Sequence, residues 1–184
     1  MTKFLAICSI LVITVLAVTA QEHSSSTSRS SSPGPVSSWV RLNSDEGRFS
    51  VLLPELVSDQ TETKSSTNGP YTTHLFIVKT TKGVFLVGWV DYDPSFNFSV
   101  QSELEANRDN FVKGVKATLL NTTRISLNGN PGLEFTAETP EVIFKSRVYL
   151  VGRRPYQLIA GTSKGQEDSE SVARFFDSFQ IKLR

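Results

Sequence analysis

The sequence predicts an α+β fold, a central antiparallel β-sheet with helices on both faces. Three observations carry that prediction. Runs rich in β-branched and aromatic residues follow one another through short turns, as antiparallel strands do. Two segments of helical periodicity interrupt them, one beginning near Ser102 and one near Asp168. The order is strands, helix, several strands, helix, strand, which is not the regular strand–helix alternation of a parallel sheet.

The elements follow in chain order. A short first strand is expected at Trp39–Leu42, and Asp45-Glu46-Gly47 turns it into a second. There Phe49, Val51 and Leu53 alternate with Ser50 and Leu52, and Pro54 closes the run. Tyr71–Thr80 and Val84–Tyr92 form a hairpin about Lys82-Gly83. Its second arm is apolar at nearly every position, as in a strand covered on both faces. Asp93-Pro94 breaks it, and Ser102-x-x-Glu105 has the spacing of a capping box. Leu104, Phe111 and Val115 then share one helical face.

Leu119–Leu127 reads as a strand, and Asn128-Gly129-Asn130-Pro131-Gly132 is dense in turn residues. Leu133–Thr139 and Val142–Val151 are strands on either side of Pro140. Gly152-Arg153-Arg154-Pro155 turns into a strand at Tyr156–Ala160. The carboxylate of Asp168 can cap the free amides of a second helix. Val172, Phe175, Phe176 and Phe179 form a stripe at i, i+3, i+4 and i+7. Ile181 and Leu183 alternate in a short last strand.

Residues 1–20 have the layout of a secretory signal peptide. Lys3 is the only charge before an apolar run from Phe4 to Val18, which ends in Val18-Thr19-Ala20. A membrane-spanning helix wants about 20 apolar residues. This run is shorter, which favours cleavage over retention as an anchor. Leu5-Ala6-Ile7-Cys8 is a poor lipid-attachment site, because Ile7 is bulky and the apolar stretch before Cys8 is short. Residues 21–38 form a Ser-rich linker with almost nothing apolar to bury, so disorder is expected there. Residues 39–184 form one domain, long enough to bury about 70% of its unfolded surface.

Composition restricts the function. The 184-residue chain has 19 Lys+Arg and 18 Asp+Glu, a formal charge of +1, with 39% hydrophobic, 20% charged and 10% aromatic residues. That is globular, and the charge balance argues against nucleic acid, which needs a basic footprint. One Cys excludes a disulfide scaffold and a cysteine metal cluster. Cleavage after Ala20 removes that Cys and Lys3, so the exported domain is held by its core alone.

Four stretches together carry a resemblance. They are Glu46-Gly47-Arg48-Phe49-Ser50-Val51-Leu52-Leu53-Pro54, Gly129-Asn130-Pro131-Gly132-Leu133-Glu134-Phe135, Arg147 to Gly152 with Tyr156-Gln157-Leu158, and Phe175-Phe176-Asp177-Ser178-Phe179. The sequence resembles small exported bacterial proteins of the PsbP-like type. The namesake is the extrinsic oxygen-evolving protein of photosystem II, and a eukaryotic Ran-release factor shares the fold. The resemblance covers most of residues 39–184 and implies an antiparallel sheet with a helix layer on each face. Its motifs are structural: Gly47 for a turn, Phe49, Val51 and Leu53 for a core, Pro131-Gly132 for re-entry into the sheet, Phe175 and Phe179 for docking a helix. No photosystem-binding residue can be carried over.

Candidate chemistry is sparse. Gly161-Thr162-Ser163-Lys164-Gly165 fits the G-x-S-x-G nucleophile elbow between a strand and a helix. The elbow needs a later acid and His, and no His follows Ser163; His23 and His74 both precede it. A flexible loop before a helix explains the motif better. Asp91 and Asp93, two apart at a strand end, would point to one side and could meet a hard cation. A turn capped by Asp93-Pro94 is the simpler account. Glu167, Asp168 and Glu170 suit the positive end of a helix dipole. His74, alternating with Thr72 and Phe76, reads as a hydrogen-bonded sheet histidine rather than a metal ligand. Arg153-Arg154 at a hairpin tip could meet an anionic partner. Phe96 and Phe98 either pack under their loop or line an apolar groove. Asn97-Phe98-Ser99 and Asn121-Thr122-Thr123 are sequons that matter only in a glycosylating host.

These readings predict an exported, non-enzymatic binding or assembly module of the cell envelope. Its partner-binding candidates are Phe96, Phe98, Arg153 and Arg154. No catalytic residue, metal or cofactor is expected. The expected partner is a protein in the envelope or outside the cell, with no nucleic acid and no membrane span after cleavage. The alternatives are a serine hydrolase using Ser163 and a carrier of a small apolar ligand at the Phe96/Phe98 loop.

Overall fold

The computed structural model describes residues 39–54, 58–66 and 69–182. The signal segment, the Ser-rich linker and Leu183 lie outside them. The elements are β1 (Val40–Ser44), β2 (Phe49–Leu53), β3 (Ser58–Ser66), β4 (Gly69–Lys79), β5 (Gly83–Tyr92), α1 (Val100–Gly114), β6 (Thr118–Leu127), β7 (Asn130–Glu138), β8 (Val142–Val151), β9 (Arg154–Ser163), α2 (Ser169–Asp177) and β10 (Gln180–Ile181).

A seven-stranded sheet runs in the order β3-β4-β5-β9-β8-β7-β6, with every neighbouring pair antiparallel. β5, the apolar run of the sequence, pairs on both sides and is buried along its middle, as a doubly covered strand should be. A second sheet of three strands, β1-β2-β10, was not expected. It forms because β10, following α2 directly, pairs with β2 through Gln180 and Ile181.

The large sheet separates two cores. On one face, Leu75, Leu86, Phe135, Phe144, Val148 and Ile159 pack against Leu104 and Phe111 of α1. On the other, Val78, Phe85, Val87, Trp89, Tyr156 and Leu158 meet Phe49, Val51 and Leu53 of β2 and Phe175, Phe176 and Phe179. The three layers are therefore α1, the large sheet, and a layer of α2 with the small sheet. Among the described residues no helix is long and apolar enough to cross a membrane.

Three local expectations are corrected. The N-cap of α1 is Ser99, not Ser102. Ser99 Oγ accepts from the Ser102 amide at 3.2 Å, and Ser102 Oγ accepts from the Ser99 amide at 3.1 Å. The capping box thus uses a serine where glutamate is usual, and starts three residues before the predicted one. Ser99→Ala should cost about 1 kcal/mol, measured by urea denaturation; an unchanged midpoint would show that the tertiary packing of α1 makes its cap redundant.

The turn between β6 and β7 is only Asn128-Gly129, both at positive φ (51° and 80°), because Leu127 and Asn130 already pair. Pro131 and Gly132 lie inside β7, where a Cβ on Gly132 would stand 2.5 Å from the Val148 carbonyl oxygen. The residue in the left-handed region of the β1–β2 turn is Arg48 (φ 54°), not Gly47. Gly47 is required by crowding: a Cβ there would lie 2.5 Å from the Phe49 ring and 2.8 Å from Ser44 Oγ.

Candidate functional site

Seven residues of β9 separate Ser163 from the sheet level of His74, because Thr162 pairs with Gly83 while Tyr156 pairs with Trp89, and Trp89 with His74. At about 3.3 Å per residue that is roughly 23 Å along the sheet. The two side chains cannot share a proton. Ser163 is an exposed strand-end residue paired with Val142. Gly161 lies flat against Phe144, whose ring a Cβ would approach to 2.8 Å. Lys164 is held 2.7 Å from Glu138. The motif therefore continues a β-strand instead of forming the strained strand-to-helix corner of a nucleophile elbow.

The acids after it hold the start of α2. Asp168 is the N-cap, accepting from the Ser171 amide and hydroxyl at 3.0 Å each. Those bonds, led by the backbone amide, and then Lys82 hold its carboxyl below the usual aspartate range. Glu167 accepts from the Gly165 amide at 3.0 Å.

The partner-binding candidates come together at the opposite end of the sheet, in a corner built from the β1–β2 turn, the loop after β5 and the β8–β9 turn. Phe96 is only 2% exposed and stacks on Tyr92 with centroids 4.3 Å apart. Tyr71 and the half-buried Phe98 complete this aromatic cluster. The guanidinium of Arg153 lies 5.2 Å over the Phe98 ring and donates to the Phe96 carbonyl. Arg154 turns to the other face: its Nε donates to Asp91 at 2.7 Å and its Nη1 to the Glu46 carbonyl at 2.8 Å. Solvent thus meets Arg153 and part of Phe98, while Phe96 stands behind them and the half-buried Arg154 lies on the other side of the turn.

Asp91 and Asp93 do not converge. Asp91 also accepts from Trp89 Nε1 at 3.2 Å and lies 3.3 Å from His74 Nε2. Asp93 sits in the loop and accepts from the Ser95 amide and hydroxyl. His74 is buried, stacked on Trp89 with centroids 4.3 Å apart and planes 3° from parallel. Its Nδ1 is 3.7 Å from Glu46. The β1–β2 turn is latched over this stack, for Tyr156 Oη donates to the Gly47 carbonyl at 2.8 Å. Among the described residues no three His, Cys, Asp or Glu side chains gather as a metal-binding group.

A groove of about 230 Å³ between α2 and strands β8 and β9 passes Lys145, Thr162, Val172, Phe176 and Asp177. Its wall is Arg147, lying 4.9 Å over Phe176 and donating to Glu134 at 2.7 Å and Asp177 at 3.3 Å. It lies away from the Phe96/Phe98 loop.

One buried polar set escaped the sequence reading: Glu103 and Asn107 of α1, with Ser146 and Gln157 beneath them, all at most 1% exposed. The signal was present. Glu103 and Asn107 flank Leu104 and lie one turn apart, on the stripe that continues to Phe111.

No protein-family model and no curated protein matches the sequence. The solution structure of cyanobacterial PsbP from Synechocystis sp. PCC 6803 is similar to this chain, with a TM-score of 0.55 and 12% sequence identity. The match covers 82% of this chain and 97% of that one. The chain, with its two antiparallel sheets and a helix on either face of the larger one, therefore has a PsbP-like α+β fold.

Proposed function

We propose that this protein is an exported, non-enzymatic binding or assembly module that meets a protein partner through the Arg153/Phe98 corner. The observation that supports it most is that, among the described residues, the reactive-looking side chains named from the sequence sit in structural positions. Ser163 ends a strand, Asp168 caps a helix, and His74, Asp91 and Arg154 hold the β1–β2 turn. The PsbP-like fold supports the same reading, as does the signal-like segment at residues 1–20.

Arg153 offers the corner an exposed positive charge on the aromatic ring of Phe98, and the Phe96 carbonyl fixes its position. Such a surface suits an acidic protein patch, with rim charges steering the encounter. The test is affinity capture from envelope extract with the mature chain and with Arg153→Glu. A protein held by the parent and lost with the variant supports the reading. Equal capture by both would move the interface elsewhere, and hydrolysis of a generic ester that disappears with Ser163→Ala would replace binding with catalysis.

A further inference from the structure

Glu103 is 1% exposed beneath α1. Tyr92 Oη donates to its Oε1 at 2.5 Å and Asn107 Nδ2 donates to the same oxygen at 2.7 Å. Its other oxygen, Oε2, has no hydrogen-bond partner, and neither has Asn107 Oδ1. These two acceptors lie on side chains bonded to each other, and Gln157 Oε1 on β9 is a third buried oxygen without a donor; such an arrangement costs free energy unless a proton is supplied.

We infer that Glu103 is a neutral carboxylic acid in the folded protein, its Oε2 proton donated to Asn107 Oδ1, and that losing this proton loosens the seat of α1. One proton pairs Glu103 Oε2 with Asn107 Oδ1, two of the three unpartnered oxygens, and closes an acid–amide ring with the Asn107 Nδ2 bond. Burial favours the same state: it pushes the carboxyl above the ordinary glutamate range, against the opposing pull of the bonds from Tyr92 and Asn107.

Among the described residues Glu103 is in no ion pair, and β3 carries Glu62 and Lys64 at the register positions of Thr73 and Tyr71. β5 faces Glu103 with Tyr92. β8 and β9 present Ser146 and Gln157 among apolar residues, and β7 presents apolar residues alone. Arg108 on α1 and Arg153 in the β8–β9 turn are engaged elsewhere: Arg108 with Asp109 at 2.7 Å, Arg153 with the Phe96 carbonyl and the Phe98 ring. The device reaches the proposed partner corner, because the Tyr92 ring that bonds Glu103 is the one stacked on Phe96. It stands whether or not that corner binds a partner.

The sign follows from linkage. A carboxyl raised in the folded state contributes stability in full below its unfolded value. That contribution is lost as pH rises through the folded value. Surface acids such as Asp168, whose carboxyl is lowered, are already ionised above about pH 5 and drop out of the comparison.

The test is chemical denaturation of the full chain from about pH 5 to pH 8, beside Glu103→Gln, with the Glu103 carboxyl followed by carbon-13 NMR. Gln presents an acceptor oxygen and a donor nitrogen in place of the two oxygens of the neutral acid, with one N–H more than the acid has O–H. The parent should lose stability as pH rises, and the Gln variant should lose less and exceed the parent at pH 8. The carboxyl resonance should titrate above the ordinary glutamate position. Identical pH slopes, an ordinary titration, or a Gln variant weaker than the parent throughout would each overturn the inference. The last would mean that the anion is held by an ion or by water instead.

Discussion

Phe175→Ala should lower the free energy of unfolding by about 3–5 kcal/mol, the cost of removing a buried phenyl ring and leaving its cavity. Phe175 is fully buried on α2. Its ring meets Phe85 of the large sheet edge to face at 5.4 Å and Phe176 at 5.2 Å. Nothing else on α2 could take its place, because Val172 is only partly buried and Phe176 is already held under Arg147. A domain of this size has about 5–15 kcal/mol in total. The loss would therefore remove a large share of the total. The companion variant, Ser163→Ala, lies at an exposed strand end and should shift stability by less than about 0.5 kcal/mol. Denaturant titration of the two separates scaffold from surface. Equal effects would mean that α2 is not seated as described.

The fold was legible where burial follows a period. α2 could be read because Phe175, Phe176 and Phe179 carry the pattern of one face, and all three are buried. The hairpin β4–β5 and strand β8 could be read because burial writes apolar residues into them. β3 could not. Its segment Ser58–Ser66 contains no apolar residue, so periodicity has nothing to detect, and the strand is held by backbone pairing to β4 from Ser58↔Ile77 to Ser66↔Gly69. The β2–β10 pairing was hidden for a different reason. β10 is two residues long, and its place depends on where α2 ends, which Ser178 decides by accepting from the Leu52 amide at 2.8 Å.

The candidate corner was half legible. Phe96, Phe98 and Arg153 could be named singly, but contacts between a loop and a turn more than 50 positions apart leave no local pattern. Glu103 and Asn107 were overlooked because a charged and an amide residue on a helix are ordinarily read as solvated. Only the packing of α1 on β8 and β9 shows that they face inward.

The second large effect concerns Phe49, and it tests how the β1–β2 turn is held. Phe49 is fully buried and its ring touches Phe76, Trp89, Tyr156 and Phe179, with centroids 5.5–6.3 Å away. Phe49→Ala should cost about 3–5 kcal/mol by loss of burial and the cavity left behind. Tyr156→Phe removes the bond to the Gly47 carbonyl, together with the hydroxyl's contact with Arg154, and leaves that buried carbonyl without this donor, which should cost about 1–3 kcal/mol. The two residues act on one turn. The Phe49 ring supports the backbone that Tyr156 Oη must reach, so once the ring is gone the turn sags and the hydroxyl has less to hold. The double variant should therefore be more stable than the sum of the single losses predicts, by at least about 0.5 kcal/mol. Strict additivity in urea denaturation would contradict this coupling. It would leave Arg154, donating to the Glu46 carbonyl at 2.8 Å, as the group that positions the turn independently of the core.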